Sequence, residues 1–461
     1  MTDWDDLLHA AADHAASYLD HVDERPVGPP IQPDTLRARL TTDLPDGPTD
    51  PRAVLDELVD AVDPGLVASQ GPRYFGFVTG GSLPAALAAD WMTSAWDQNG
   101  GLYVMSPAAT VVEETAARWL VELFGLAPET SVGFVTGTTM ANLTGLAAAR
   151  IALLERAGHD LERQGARGAP ALRIVAGDER HNSIEASLRL LGIGADEVAL
   201  VATDDQGTMD PDALATHLDQ GDGPALVIAQ SGNVNTGACD PLEAIADACE
   251  RHDAWLHVDG AFGLWARLDP TRAHLVAGLE RAHSLATDAH KWLNVPYDGA
   301  MVFVRDPAAH RAATYKGAAY LMGGDEDRRD SYMYTPEASR RARATTVYAA
   351  LRSLGRAGVT DLVKRTCDLA ERFAKAADEH PRITVLNDVV LNQILLAFDG
   401  VGLDTLLCAV HDDGTFWAGR TVWRDRAAMR ISVSGWRTTE DDIDRCAGVL
   451  LRLTDRAGAE K

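Results

Sequence analysis

Between about residue 130 and residue 305, short apolar runs alternate with helical segments, and this alternation leaves the chain few folds to choose from. The runs are Gly133-Phe-Val-Thr, Leu172-Arg-Ile-Val-Ala, Val198-Ala-Leu-Val-Ala, Ala225-Leu-Val-Ile-Ala and Ala254-Trp-Leu-His-Val-Asp. Segments near 140–156, 182–191, 211–219 and 241–252 read as the helices between them. Strands joined by crossover helices pair in parallel and are covered on both faces, so they carry unbroken apolar runs. Ala300-Met-Val-Phe-Val predicts one adjoining strand. The expectation is a large α/β domain over 101–343.

Residues 1–100 read as an N-terminal helical segment, with a Pro-rich connector (Pro26, Pro29, Pro30, Pro33) and an Ala-rich helix from Pro84 through Trp96. Residues 344–378 are helical and 383–450 mix helices with short strands, which predicts a small α+β domain over 344–461. Gly323-Gly-Asp-Glu-Asp-Arg-Arg-Asp, a polar break with two glycines, predicts a mobile loop.

The net charge of −26 disfavours nucleic acid and anionic membranes as partners. No apolar run reaches the ~18 residues that a membrane helix needs. The acidic start carries no apolar leader, and five scattered cysteines show no CxxC pair, so we expect a cytoplasmic protein with reduced thiols and no metal site.

Only five of the 42 basic residues are lysines, and Lys291 is the first of them in the chain. Arginine serves a solvated surface as well as lysine does, but its guanidinium forms no useful imine. A lysine in an apolar, motif-like segment of such a chain is therefore pointed. Partial burial is expected to lower its pKa and favour imine chemistry.

Four segments carry the chemistry. Thr136-Gly137-Thr138-Thr139 opens a helix, where free N–H groups and hydroxyls suit a phosphate, although such turns often merely cap. His257-Val258-Asp259-Gly260-Ala261 ends a strand. A carboxylate there can hold a pyridine nitrogen protonated or, more plainly, cap the next helix. In Asp288-Ala289-His290-Lys291-Trp292, lysine is the candidate nucleophile and His290 either bonds a phosphate or fills space. His181, just past a strand end, can stack on a flat ring or serve as a loop residue.

Taken in order, Gly137-Thr138-Thr139, His181, Asp259 with Ala261, and His290-Lys291 resemble the pyridoxal-dependent group II amino-acid decarboxylases. The resemblance extends over nearly the whole chain and includes Pro72-Arg-Tyr-Phe-Gly-Phe and Ser106-Pro-Ala-Ala. It implies the PLP-dependent transferase-like fold (fold type I), with a mostly parallel seven-stranded sheet, and pyridoxal 5'-phosphate as cofactor. It implies that Lys291 carries the cofactor as an imine while decarboxylating an L-amino acid to an amine and carbon dioxide. Asp259 then meets the pyridine nitrogen, His181 and Ala261 cover the ring faces, and Gly137, Thr138, Thr139 and His290 hold the phosphate. Asn233 lies near the ring hydroxyl. Tyr332 or Tyr334 delivers a proton from the mobile loop, and Tyr74, Phe75, Tyr103 and Arg430 line the substrate pocket. The resemblance also implies a homodimer with sites at the interface.

The chain departs from the family pattern at Met140, Asp288-Ala289 and Ala338-Ser339. These differences leave open a carbon–carbon lyase (aldolase), an aminotransferase or an oxidative deaminase on the same scaffold, or a non-catalytic binding protein.

Overall fold

A computed structural model describes residues 4–28, 31–314 and 329–459. The contacts divide the chain into two compact units. One gathers Met1–Thr79, Arg372–Val385 and Leu395–Lys461; the other gathers Gly80–Glu371 and Leu386–Ile394. The N-terminal helices up to Thr79 thus cluster with C-terminal residues, while the Pro84–Trp96 helix belongs with the large sheet. Periodicity marks where a helix begins but not which neighbours bury it.

The larger unit is built on strands β1 (Ser131–Val135), β2 (Arg173–Gly177), β3 (Val198–Val201), β4 (Ala225–Gln230), β5 (Trp255–Asp259), β6 (Ser284–Asp288) and β7 (Ala300–Val304). They form one seven-stranded sheet of order β1-β7-β6-β5-β4-β2-β3, the expected α/β architecture. β2 through β6 pair in parallel, whereas β7 runs antiparallel to both β1 and β6. The reason is chain length. Residues 289–299 are too few for a parallel crossover, which takes a dozen or more, so the chain turns straight back. That return places His290 and Lys291 just beyond the end of β6.

Every residue of β1, β5, β6 and β7 is buried, as continuous apolar runs require in a sheet covered on both faces. Helix starts follow local chemistry. Pro107 occupies the first helical turn behind Ser106, whose hydroxyl accepts the Ala109 N–H, and Asp210 caps the Pro211–Asp219 helix in the same way.

The second unit has helices Trp4–His21, Pro33–Leu40 and Pro51–Val62, and a four-stranded sheet. The sheet's strands are β8 (Ile383–Val385), β9 (Gln393–Phe398, which lies in this unit from Leu395 onward), β10 (Gly419–Trp423) and β11 (Arg426–Ser432), in the order β10-β11-β9-β8. Among the described residues no helix is long and apolar enough to cross a membrane, and no cluster of three metal-ligating side chains occurs.

The sheet unit buries three histidines at a cost. Burial holds His257 on β5 and His310 near β1 at about 3 and His283 at about 4, all below the ordinary 6.5. Between those values and 6.5 the unfolded chain binds protons that the folded chain refuses, so stability falls as pH drops through that window. We expect the thermal midpoint to decrease steadily from pH 7 to pH 5. A midpoint unchanged over that range would remove these imidazoles from the stability balance.

Candidate active site

Parallel strands end on one side of their sheet, and ligands of open α/β sheets bind there. Asp259 is the last residue of β5 and Asp288 the last of β6; Gly137 follows β1, and His181 follows β2. Topology therefore gathers residues from 137 to 291 around one cavity. Its lining includes Gly137, Thr138, Thr139, His181, Ser183, Asp259, Ala261, Phe262, Asp288, His290 and Lys291.

One end suits a phosphate. Gly137 is the extended residue before the Thr138–Arg156 helix, whose N-terminus carries a positive dipole end. A Cβ at Gly137 would lie 3.6 Å from His290 Cε1, so a side chain here would occupy this end of the cavity. Thr138 Oγ1 is buried without a hydrogen-bond partner among the described residues. His290 Nδ1 accepts the Gly299 N–H at 3.1 Å, which leaves its proton on Nε2, 3.4 Å from Asp288 Oδ1. Burial lowers the His290 pKa against the pull of Asp288.

Lys291 is fixed by its neighbours in the return loop. Trp292 is buried and donates from Nε1 to Thr366 Oγ1 at 2.8 Å, and Asn294, in the left-handed region at φ 55°, donates from Nδ2 to the Trp292 carbonyl. Lys291 Nζ then meets Asp288 Oδ2 at 2.8 Å, and Asp288 Oδ1 accepts the Thr138 N–H at 2.7 Å. Burial opposes charge on both groups, yet each partner outweighs it. The carboxyl is held below its usual range and the ammonium is raised above its own. This corrects the sequence expectation of a lowered lysine pKa. Burial alone would lower it, but Asp288 reverses the sign.

The walls and the far end complete the site. His181 caps helix Asn182–Leu190, accepting the Ser183 N–H at Nδ1, and it lines the cavity as well. Ala261 donates its N–H to Asp259 Oδ1 at 3.2 Å. Asp259 Oδ2 receives Asn142 Nδ2 at 2.9 Å and lies 3.3 Å from the Ser183 hydroxyl. Sequence reasoning gave Asn142 and Ser183 no role. The available signal was a polar residue one turn into an otherwise apolar buried helix.

Other expected residues lie elsewhere. Asn233 spends its side chain on backbone groups: Oδ1 accepts the Asn235 and Thr236 N–H groups of its own loop, and Nδ2 donates to the Glu179 carbonyl beyond β2. It shapes the cavity only through its neighbours Gly232 and Val234. Tyr332 is buried, and Tyr334 sits under the Arg329 guanidinium, 4.0 Å from the ring centroid; neither lines the cavity. Residues 323–328 of the expected mobile loop lie outside the described residues. Tyr103 is half-buried, with its N–H on Asp330, and is not part of the lining. Tyr74, Phe75 and Arg430 belong to the other unit. There Tyr74 stacks on Trp417, Phe75 packs into a core with Phe373 and Phe416, and Arg430 pairs with Gly419 across β10 and β11.

Residues 33–398 match the family model described as the pyridoxal-dependent decarboxylase conserved domain. This chain belongs to that family. An aromatic-L-amino-acid decarboxylase of Bacillus atrophaeus is 29% identical over 79% of this chain and 75% of its own. A phenylacetaldehyde synthase of Petunia hybrida is 25% identical over 82% of this chain and 76% of its own. A crystal structure of Oryza sativa TDC with PLP and tryptamine superposes with a TM-score of 0.91 at 25% identity, over 98% of each chain. The protein is thus a decarboxylase-family enzyme with pyridoxal phosphate as its cofactor. Its residues fit that group: the orphaned Thr138 hydroxyl and the glycine at the helix start suit the phosphate, and one lysine shares the cavity with a carboxylate.

Proposed function

We propose that this enzyme converts an L-amino acid to its amine and carbon dioxide, with the cofactor carried on Lys291. The observation that carries the reading is Lys291 Nζ in one cavity with Asp259, His181 and Ala261, beside a phosphate-type helix N-terminus. In this reading the bound cofactor supplies a protonated pyridine ring that accepts the electron pair left by the departing carboxylate. Asp259 would face the ring nitrogen and keep its proton in place. His181 and Ala261 would cover the ring, and Thr138, Thr139 and His290 would hold the phosphate. Lys291 would carry the cofactor, and Asp288 would hold its nitrogen as an ammonium whenever that nitrogen is free and protonated.

Aromatic amino acids are the first substrate class to test, because relatives named for aromatic substrates or products match most of the chain. Purified enzyme supplied singly with the twenty L-amino acids should release carbon dioxide and amine in equal amounts from one chemical class. The same assay decides the rivals. Aldehyde as the organic product would favour the aldehyde-synthase branch, and turnover with a keto acid but no carbon dioxide would favour an aminotransferase.

We further propose a homodimer. Trp91, Met92 and Trp96 are 44%, 44% and 55% exposed on one helix, with Val104 and Met105 exposed nearby. Such apolar surface calls for a covering partner, and a second copy is the simplest one. Sedimentation should show a species of twice the chain mass, reduced to single chains by Trp91→Glu with Trp96→Glu. A wild-type protein that sediments as single chains at assay concentration would end this proposal.

A further inference from the structure

Behind Asp259 runs a line of buried side chains. Asn142 Nδ2 donates to Asp259 Oδ2 at 2.9 Å. Asn142 Oδ1 lies 3.0 Å from His257 Nε2, and His257 Nδ1 lies 2.8 Å from Ser284 Oγ. Trp255 Nε1 donates to that same hydroxyl at 2.9 Å. Asn142, His257, Ser284 and Trp255 are each at most 1% exposed, so none can turn to water instead.

The two ends fix the direction of every bond between them. An ionised carboxylate only accepts and an indole N–H only donates. The Asn142 amide must therefore present Nδ2 to Asp259 and Oδ1 to His257. An amide oxygen only accepts, so the His257 proton sits on Nε2 and Nδ1 is bare. Bare Nδ1 takes the Ser284 hydroxyl proton, and the Ser284 oxygen accepts from Trp255. Each donor meets an acceptor, with no conflict along the run. We infer that Trp255, Ser284, His257 and Asn142 form a one-way hydrogen-bond relay that holds Asp259 as an oriented acceptor, with His257 and Asn142 as positioning residues for the cofactor ring nitrogen.

The helix makes room for the relay. A Cβ at Gly145 would lie 2.8 Å from His257 Cε1 and 2.9 Å from Nδ1, so only glycine lets the imidazole lie against this helix. Burial also keeps His257 neutral, the state that the relay needs. Protonation would make Nδ1 a donor and deprive the Ser284 proton of its acceptor.

The inference rests on reading Asp259 as the partner of the ring nitrogen. The test uses full-length enzyme and pyridoxal phosphate labelled with 15N in its ring, and reads cofactor Kd and the ring-nitrogen resonance against pH. Asn142→Leu and His257→Leu should each raise Kd roughly tenfold, about the effect of one hydrogen bond to a charged group. Each should also shift the nitrogen resonance toward its unprotonated position at a pH where the wild type stays protonated. His257→Gln can still donate to Asn142 Oδ1 and should restore most of both. If His257→Leu fails to fold, Asn142→Leu and Ser284→Ala carry the decision. Wild-type Kd and resonance in these variants, while Asp259→Asn changes both, would overturn the relay alone. An unchanged Asp259→Asn would overturn the role of Asp259 and the relay with it.

Discussion

Lys291→Ala should lower the rate of carbon dioxide release by roughly 10^4 or more, because it removes the group that forms the covalent link rather than one that assists it. Lys291→Arg should be no better. It keeps the positive charge and can still pair with Asp288, but a guanidinium does not form the bond. That pairing makes the two variants informative together. Asp288 is buried and its Oδ2 lies 2.8 Å from Lys291 Nζ, so alanine takes away the cation that this oxygen faces, leaves the carboxylate only the Thr138 N–H and His290, and lowers stability as well as activity. If Lys291→Arg folds as the wild type does, binds cofactor non-covalently and is inactive, covalent chemistry is separated from charge. A Lys291→Arg enzyme with wild-type turnover would sink the reading.

Asp259→Asn should lower kcat by about 10^2–10^4, matching the roughly 3–5 kcal/mol that unpairing a buried charge costs. The carboxylate is 4% exposed and receives two firm donors, Asn142 Nδ2 and the Ala261 N–H. An asparagine in its place must turn its own NH2 toward one of them or toward the cofactor, and either choice leaves a donor facing a donor. Cofactor affinity should fall alongside kcat. Unchanged kcat and affinity would mean that Asp259 only caps the turn after β5, the plainer reading of its position.

The motifs that single out Lys291 and Asp259 are local in the sequence. Gly137-Thr138-Thr139, His257-Val258-Asp259 and His290-Lys291 each sit at the end of an apolar run, so strand-end placement followed from pattern alone. Asp288 shows where such reading stops. In the sequence it is one departure from a familiar pattern, yet in the fold its two oxygens bind the Lys291 ammonium and the Thr138 N–H, residues far apart in the chain. Asn233 shows the opposite failure, since its position along the chain suggested a cofactor contact that backbone groups consume.

The amino-acid order by itself determined the mostly parallel sheet, the cavity at its carboxyl edge and the lysine that chemistry singles out. Periodicity and turn residues act over a few neighbours and need no tertiary information. Only the tertiary structure decided the charge on Lys291, the partners of Asp259 and the grouping of the N-terminal helices with C-terminal residues. Those outcomes depend on which distant side chains share a low-dielectric interior, and there one buried neighbour outweighs the intrinsic preference of the residue itself.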